Sequence, residues 1–325
     1  MLKNIIILFS CIGRRVSLLK SFHAAAAQLK LRPHIIGTDI TNLSAALQLC
    51  DKRHIVHHVG HADYPGQLAD IVEKDRVDLL VPTTDLDLKL LAQNTDLFEQ
   101  FGCRVLISRP DVIDICQDKR KTFQFLSQNA FDTPATMAPA EALAKRDMAF
   151  PCFLKPWDGH AGRGTAKVEN RQELEMLARR IPNCIVQEFV DGVEFTCDVF
   201  VDFDMKVRCV VPRKRIEIRD GEVSKGQIAG HEAIMSQTQA LVETLGAGPG
   251  VVTIQLILDA AENIKFIEIN PRFGGGVPLS IKAGADFPKW ILQQIVGEEP
   301  KIEFGNFKDG LIMLRYDDEV WIDPQ

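Results

Sequence analysis

Several well-known catalytic and nucleotide-binding motifs are missing from this sequence. It has no Gly-x-x-x-x-Gly-Lys-Ser/Thr phosphate loop, no Gly-x-Ser-x-Gly elbow and no Asp-Phe-Gly, which argues against P-loop, serine-hydrolase and protein-kinase chemistry. The first loop after a predicted strand, residues 10–15, has one glycine. Because the Gly-x-Gly-x-x-Gly fingerprint is absent there, NAD binding is not expected.

Excess positive charge and long apolar runs are also missing. The formal net charge is −6, so no general attraction to nucleic acid is expected. No apolar run approaches the roughly 18 residues of a membrane span. The apolar start, Ile5–Phe9, lacks a small-residue cleavage site and is soon followed by Arg14 and Arg15, which favours a first strand over a signal peptide. We therefore expect neither a nucleic acid nor a membrane as partner.

Cysteine is present, but not in a metal or redox pattern. The eight cysteines are scattered, and no two have Cys-x-x-Cys spacing. Cys152, Cys197 and Cys209 lie in apolar runs, which predicts small core residues. This distribution suits a reducing cytoplasm better than a disulfide framework. The four histidines between residues 54 and 61 have no cysteine or carboxylate at ligand spacing, so a metal site is not expected there.

The first 110 residues alternate short apolar runs with helical patterns. The predicted strands are Ile5–Phe9, His34–Gly37, His54–Val56, Leu79–Pro82 and Arg104–Ile107, and the predicted helices are Val16–Leu29, Gln67–Lys74 and Leu86–Phe101. Such alternation is typical of a parallel sheet with crossover helices. The loops at the strand ends of such a sheet form ligand crevices.

The rest of the chain has a different pattern, with several strands in succession. The predicted strands are Phe150–Lys155, Thr165–Val168, Ile185–Phe189, Phe195–Val201, Val207–Arg213, Val251–Ile254 and Lys265–Ile267, and the tail Leu311–Ile322 is expected to add strands. The predicted helices are Asp118–Gln128, Arg171–Arg180, Ile234–Leu245 and Phe287–Val296. The 325 residues, 46% of them hydrophobic, are sufficient for two or three globular domains.

Two of these strands carry oxygen-bearing side chains at their ends. Gln255 ends one apolar run, and the next run leads into Glu268 and Asn270. Glu268 and Asn270 are two residues apart and share one face of their strand. If the strands are neighbours, the three side chains form the hard-oxygen cluster that Mg²⁺ prefers, and Arg272 follows where it could clamp a phosphoryl group. The alternative is a surface edge that turns at Pro271.

A glycine-rich loop follows the strand that ends at Lys155. Gly159, Gly162 and Gly164 would let backbone N–H groups turn toward phosphate oxygens and let the loop close over a nucleotide. Arg163 adds a positive charge to the loop. A lysine inside an apolar strand, as Lys155 is, must extend to the surface or meet an anion. A plain hairpin connection is the alternative interpretation.

Other polar residues are weaker candidates. The strand end Gln187–Val190 could offer backbone groups to an adenine edge, and Glu194 could accept hydrogen bonds from both ribose hydroxyls. Arg215 and Lys225 belong to a basic stretch that could bind a substrate carboxylate or form a solvated edge. On the first domain, the strand-end loops carry Arg14, Arg15, Asp39, Thr83, Thr84 and Asp85.

Taken together, these segments and their order along the chain resemble the ATP-grasp superfamily. The matching segments, in sequence order, are Lys119, Phe153-Leu154-Lys155-Pro156, the glycine loop, Gln187-Glu188-Phe189-Val190, Glu194, Gln255 and Glu268-Ile269-Asn270-Pro271-Arg272. Within that superfamily, the sequence is most similar to the carbamoyl-phosphate synthetase large-chain type, whose first metal position can also be glutamine. The resemblance implies an α/β and α+β protein in which a Rossmann-like pre-ATP-grasp domain precedes a two-subdomain ATP-grasp fold. The implied ranges are 1–112 for the first domain, 113–190 for the lid, and 191–325 for the metal-binding subdomain and tail.

The resemblance also implies roles. Lys119 and Lys155 would contact nucleotide phosphates, the glycine loop would cover them, Gln187, Glu188, Phe189 and Val190 would form the adenine hinge, and Glu194 would hold the ribose. Gln255, Glu268 and Asn270 would bind Mg²⁺, with Mn²⁺ as an alternative. Arg272 would steady an acyl phosphate, with Arg163, Arg215 and Lys225 as further candidates for contacts to the reacting groups.

Many ATP-grasp proteins join a carboxylate to an amine, and we expect that reaction here. The chain has one ATP-grasp unit where carbamoyl-phosphate synthetase has two, so the full synthetase reaction is not expected. Two alternatives stay open: a bicarbonate- or carbamate-phosphorylating subunit of a split synthetase, and a non-catalytic ATP-binding regulator. We expect small-molecule carboxylate and amine substrates and a cytoplasmic location; a homodimer stays open.

Overall fold

The computed structural model describes residues 3–159, 162, 164–219 and 221–323. Its first part is a parallel five-stranded sheet with the strand order β3-β2-β1-β4-β5. The strands are β1 (Lys3–Ser10), β2 (Leu31–Asp39), β3 (Lys52–Ile55), β4 (Leu79–Pro82) and β5 (Arg104–Val105). The helices are α1 (Val16–Gln28), α2 (Tyr64–Asp75), α3 (Leu88–Gln93) and α4 (Asp96–Glu99), with a 3-10 turn at Leu47–Leu49.

This sheet is covered by helices on both faces. Phe9 of β1 packs edge-on against Phe22 of α1, with ring centroids 5.1 Å apart. The preceding residue of β1, Leu8, points to the other face of the sheet and is buried in a core that contains Tyr64 and Leu68 of α2. Burial on both faces explains why the central strands β1 and β4 are apolar along most of their length rather than alternating. The predicted Rossmann-like arrangement is confirmed.

The strand order reverses at β1, which has β2 on one side and β4 on the other. In open parallel sheets, the crevice at such a reversal lies beyond the carboxyl ends of the strands. The loops that leave β1 and β4 carry Arg14, Arg15, Thr84 and Asp85. The topology therefore directs these side chains toward the remainder of the chain.

A four-stranded antiparallel sheet with the order β6-β9-β7-β8 comes next. Two helices precede it, α5 (Pro110–Gln117) and α6 (Lys119–Gln128). The sheet contains β6 (Thr136–Met137), β7 (Cys152–Pro156), β8 (Ala166–Val168) and β9 (Cys184–Glu188), and its helices are α7 (Pro139–Ala144) and α8 (Arg171–Arg180). Asp118 caps α6 by accepting a hydrogen bond from Arg120 N at 2.9 Å, as an aspartate at this position commonly does.

The third sheet has six antiparallel strands in the order β14-β13-β10-β11-β12-β15. Its strands are β10 (Gly192–Val201), β11 (Val207–Arg219), β12 (Glu222–Ile228), β13 (Gly250–Asp259), β14 (Ile264–Asn270) and β15 (Ile312–Leu314). The remaining helices are α9 (Glu232–Leu245), α10 (Val277–Lys282) and α11 (Phe287–Ile295).

The first and third sheets share a hydrophobic core. Phe22 of α1 packs against Phe273, which follows β14, at 5.9 Å between ring centroids. Phe200 of β10 and Phe287 of α11 belong to the same buried cluster. Each sheet lies within one of the ranges 1–112, 113–190 and 191–325, but α6 packs through Leu126 against the third sheet. The division into three domains stays a prediction.

Two local predictions differ from the structure. The expected helix over residues 86–101 is split into α3 and α4, because Asn94 Nδ2 and Thr95 Oγ1 donate to the carbonyls of Leu90 and Leu91 at 2.8 and 3.1 Å. In the tail, the strand is limited to β15, since an acidic run with low strand propensity follows it at residues 317–319. No helix within the described ranges is long and apolar enough to cross a membrane.

Candidate active site between the three sheets

The predicted oxygen cluster lies on two neighbouring strands. β13 and β14 pair so that Gln255 is opposite Glu268 and Thr253 is opposite Asn270. Gln255, Glu268 and Asn270 all line a cavity of about 510 Å³ that is bounded by the second and third sheets and by loops of the first. Glu268 keeps 26% of its side chain exposed, so its carboxylate faces the cavity rather than the core. A carboxylate with two amide oxygens is a donor set that fits Mg²⁺ or Mn²⁺.

Two lysines stand beside this cluster. Lys119 Nζ lies 3.7 Å from Glu268 Oε1 and donates to the Gly159 carbonyl at 2.6 Å. Lys155 is 8% exposed and lines the same cavity. Burial lowers the pKa of Lys155 to about 8, and Lys119 adds to that effect while Glu268 opposes it. A buried lysine of this kind is stabilised by an anion, as a nucleotide phosphate would be.

The glycine loop borders the cavity. Gly159 and Gly162 are lining residues. Gly162 and Gly164 have φ values of +69° and +71°, a backbone conformation that favours glycine. The candidate Arg163 lies outside the described residues.

Most of the residues predicted for the adenine hinge also border the cavity. Gln187, Glu188 and Val190 line it together with Phe153. The side chain of Phe189 does not line it; its ring stacks on Phe153 at 5.7 Å between centroids. Phe189 thus supports the Phe153 ring from outside the cavity. An apolar ring with a strand end nearby suits a flat heterocycle.

Glu194 and Arg215 form a partly buried ion pair at the cavity. Arg215 Nη1 donates to Glu194 Oε1 at 2.7 Å, and 7% of the Arg215 side chain is exposed. Burial raises the pKa of the Glu194 carboxyl, although Arg215 opposes the shift. The Arg215 Nε has no hydrogen-bond partner among the described residues.

Arg213 lies on the same face of β11 as Arg215. Its guanidinium is 1% exposed and donates to both oxygens of Asp198 at 2.7 and 3.0 Å. Ser280 Oγ donates to the same carboxylate at 2.6 Å. A Cβ on Gly276 would lie 2.3 Å from Arg213 Nη1, so the glycine permits this close approach. The basic stretch on β11 thus contributes two buried arginines rather than only a solvated edge.

Arg272 reaches across to the first sheet. Its Nε and Nη2 donate to Asp85 Oδ2 at 3.1 and 2.6 Å. Burial would lower the pKa of Arg272, but Asp85, Glu268 and Glu222 together hold it above its ordinary value. The guanidinium is therefore a permanent cation at the cavity wall.

Several candidates do not line this cavity, among them Lys225, Asp39 and Thr83. Lys225 Nζ pairs with Glu217 Oε2 at 2.7 Å, because Glu217 is directly opposite it on β11, and half of its side chain is exposed. Asp39 accepts hydrogen bonds from Gly13 N and Ser44 Oγ at 2.9 and 2.7 Å and so organises the loop after β1. Thr83 Oγ1 is buried and donates to carbonyls of that loop.

The histidine region contains a carboxylate that its sequence did not indicate. His57, His61 and Asp63 bring potential ligand atoms within 4.8 Å of one another. All three side chains are exposed, and the two imidazole rings stack at 3.9 Å. The expectation that no carboxylate accompanies these histidines was wrong, because a tight turn before α2 folds Asp63 back.

Sequence reasoning missed Glu222, Arg315 and the glycines 274–276, all of which lie next to the cavity. Three consecutive glycines, which begin two residues after Arg272, were the available signal. A Cβ on Gly275 would lie 2.6 Å from the Glu222 carboxylate. No local pattern marks Arg315 or Glu222.

Comparison with known protein families assigns both parts of the chain. Residues 7–106 match the PylC-like N-terminal domain and residues 116–276 match the ATP-grasp domain. The carbamoyl phosphate synthase large chain of Thermoplasma acidophilum is 24% identical over 66% of this chain and 22% of that protein. The Pseudomonas syringae protein of the same name is 28% identical over 35% of this chain and 11% of that protein. The chain thus spans less than a quarter of either relative.

Solved structures share the fold at low sequence identity. N5-carboxyaminoimidazole synthetase from Staphylococcus aureus, complexed with ADP, has a TM-score of 0.75 and 13% identity, with 97% of this chain and 83% of that chain covered. The L-amino acid ligase from Bacillus licheniformis has a TM-score of 0.71 and 18% identity, with 91% and 75% covered. The chain thus carries an ATP-grasp domain over residues 116–276, with a PylC-like N-terminal domain ahead of it over residues 7–106.

Proposed function

We propose that this protein is an ATP-dependent ligase that activates a carboxylate as an acyl phosphate for attack by an amine or ammonia. One observation carries the proposal: a single cavity is lined by Lys119, Lys155, Gln255, Glu268, Asn270 and Arg272. Two cations, an oxygen cluster and an arginine clamp are what a triphosphate and a transferring phosphoryl group require. Eight free thiols are compatible with a cytoplasmic enzyme.

ATP would lie along the cavity with its adenine near Gln187–Val190 and its ribose near Glu194. Lys155 and Lys119 would then contact phosphates, and Gly159 and its loop would cover them. Gln255, Glu268 and Asn270 would hold Mg²⁺. When bound, Mg²⁺ supplies charge neutralisation and orientation to the phosphate oxygens.

In the first step, an oxygen of the substrate carboxylate attacks the γ-phosphorus of ATP. The bond from that phosphorus to the bridging oxygen breaks, so ADP leaves and an acyl phosphate forms. The approach of two anions opposes this step. Arg272 and Lys119 offset the repulsion, and holding the reactants in line supplies much of the remaining rate enhancement.

In the second step, the amine nitrogen attacks the acyl carbon. The carbon–oxygen bond to phosphate breaks, inorganic phosphate leaves, and the nitrogen loses a proton to give the amide. An acyl phosphate is hydrolysed readily, so the site must exclude water between the steps. The glycine loop, which borders the cavity beside Gly159, is suited to that closure.

The test is ADP release by the purified protein with ATP, Mg²⁺ and pools of carboxylates and amines. We expect release that depends on both a carboxylate and an amine. Glu268→Ala, with its chain fold checked by circular dichroism, serves as the matched inactive control. Release with bicarbonate alone would identify the phosphorylating subunit of a split synthetase instead. Tight ATP binding without release under any condition would identify a non-catalytic regulator.

A further inference from the structure

A second cavity of about 800 Å³ adjoins the proposed ATP site. The two cavities share Arg15, Glu222, Val223, Gly274 and Gly275 as lining residues. The second one lies between the start of α1, β12, β15 and the tail after β15. We call these shared residues the wall. A molecule that extends across this wall would reach from the second cavity to the residues around Arg272.

At this wall, three guanidinium groups converge on one carboxylate. Glu222 Oε1 lies 3.3 Å from Arg15 Nη1 and 3.7 Å from Arg14 Nη2, and Glu222 Oε2 lies 3.1 Å from Arg315 Nη1. Burial would raise the pKa of Glu222, but Arg15, Arg14 and Arg315 hold it below its ordinary value. One negative charge thus faces three positive charges.

The next ion pair does not correct this imbalance. Asp85 pairs with Arg272 across the cavity wall, which leaves the group of four arginines (Arg14, Arg15, Arg272, Arg315) and two carboxylates (Asp85, Glu222) with a net charge of +2. Burial lowers the pKa of Arg15, and the nearby cations Arg272 and Arg315 act in the same direction, while Glu222 and Asp85 oppose it. Positive charges held together in a partly buried place are stabilised by a bound anion.

The arginines also have donors to spare. A guanidinium has five N–H groups, and among the described residues the acid that pairs with Arg14 is Glu222, at 3.7 Å. The Arg14 side chain is 65% exposed. Arg315 is held in place by a hydrogen bond from its Nη2 to the Gly275 carbonyl. One arginine is thus fixed and the other is free to close on a ligand.

The other residues that line the second cavity would orient an anionic ligand toward the arginine wall. Leu49, Met313 and Leu314 give apolar lining, and the acids Asp317, Asp318 and Glu319 lie on the tail. Asp317 pairs with Arg219. An anionic group is repelled by the acidic tail and attracted by the arginine wall, so it is oriented toward the wall.

We propose that the substrate carries a second anionic group, a carboxylate in the simplest case, which Arg14 and Arg315 bind at the wall while the carboxylate to be activated lies on the Arg272 side. This inference rests on the proposed ligase function and narrows its substrate to dianionic carboxylates. Bidentate arginine pairing would make Arg14 and Arg315 specificity-determining residues.

The test compares straight-chain dicarboxylates with monocarboxylates of equal chain length. Their binding is measured by calorimetry in the presence of Mg²⁺ and a non-hydrolysable ATP analogue. We expect a dicarboxylate to bind about tenfold or more tightly than its monocarboxylate partner. Arg14→Gln and Arg315→Gln should each remove most of that preference and leave the affinity for the ATP analogue unchanged. Arg179→Gln, an exposed arginine of α8, is the control and should keep the preference.

Equal binding of the two series, or no binding of any dicarboxylate, would overturn the inference. The inference would also be overturned if Arg14→Gln and Arg315→Gln weakened the binding of dicarboxylates and monocarboxylates by the same factor. Failure of the ligase function gives a different result: dicarboxylates bind with the stated preference, but no carboxylate stimulates ADP release from ATP. The two proposals can therefore fail separately.

Discussion

Arg272, just after β14, donates two hydrogen bonds to Asp85, in the loop after β4. The pair links the end of the third sheet that carries the predicted metal ligands to the switch point of the first sheet. It also fixes the arginine at the cavity wall. Because a guanidinium held by a carboxylate is oriented as well as paired, Asp85 is a positioning residue for Arg272 in the proposed reaction.

Asp85→Asn should lower turnover less than Arg272→Ala does. The asparagine keeps one acceptor for the guanidinium but loses the charge, so we expect about a tenfold fall in kcat and an unchanged affinity for ATP. Steady-state kinetics and ATP titration measure the two quantities. A variant as inactive as Arg272→Ala, or one with weaker ATP binding, would contradict a positioning role.

Glu268→Ala and Arg272→Ala should each leave the fold intact and reduce turnover by about 100-fold or more. Each removes a group that would act directly on the transferring phosphoryl group or its metal ion, and loss of one such electrostatic contact typically costs about 2.7–4 kcal/mol in the barrier. ADP formation under saturating substrates is the measurement. Near-normal ADP formation by either variant would refute its assigned role.

ATP affinity should fall as the pH rises through about 8. The protonated Lys155 is the form that pairs with phosphate, and burial lowers its pKa to about 8. Below that pH the lysine is already charged, and the affinity for ATP does not depend on its titration. Above that pH, ATP binding requires the uptake of a proton by Lys155, so the affinity for ATP falls by about tenfold per pH unit. Titrations between about pH 7 and about pH 9.5 measure this slope. Lys155→Arg, charged throughout, should show a flat profile, and a flat profile in the unmodified protein would exclude Lys155 as the phosphate contact.

Gly276→Ala should destabilise the protein by about 1–3 kcal/mol. Gly276 has an ordinary φ of −87°, so the cost comes from the new Cβ, which would lie 2.3 Å from the buried Arg213 guanidinium. Urea denaturation gives the free energy of unfolding. Gly66→Ala in α2 is the matched control, because nothing lies within 4 Å of its Cβ and alanine favours a helix. Equal stability of the two variants would contradict the close approach.

Gln255→Glu should tighten Mn²⁺ binding several-fold. It adds a second carboxylate opposite Glu268, and hard cations bind more strongly as the ligand charge rises. Electron paramagnetic resonance of free Mn²⁺ measures the affinity. Gln239→Glu, on the exposed face of α9, should leave it unchanged. An unaltered affinity in Gln255→Glu would argue that this side chain does not face the metal.

Much of the fold follows from local patterns in the sequence. The apolar runs at the centre of the first domain are the buried parallel strands β1 and β4, and the predicted helix at Arg171–Arg180 has the bounds of α8. The short strand β12, by contrast, was not predicted. Its sequence mixes charged and small residues, Glu222 and Lys225 among them, because it is placed by pairing with β11 and not by its own strand propensity.

The candidate site divides in the same way. The spacing of Glu268 and Asn270 places both on one face of a strand, because side chains alternate along an extended backbone. This placement on one face is a local property that the sequence alone determined. The sequence alone also determined the order of the ATP-grasp segments along the chain. The convergence of Arg14, Arg15 and Arg315 on Glu222 is not local. It depends on how α1, β12 and the tail pack around a shared core, and only the tertiary structure decided it, since no spacing along the chain encodes which distant loops meet.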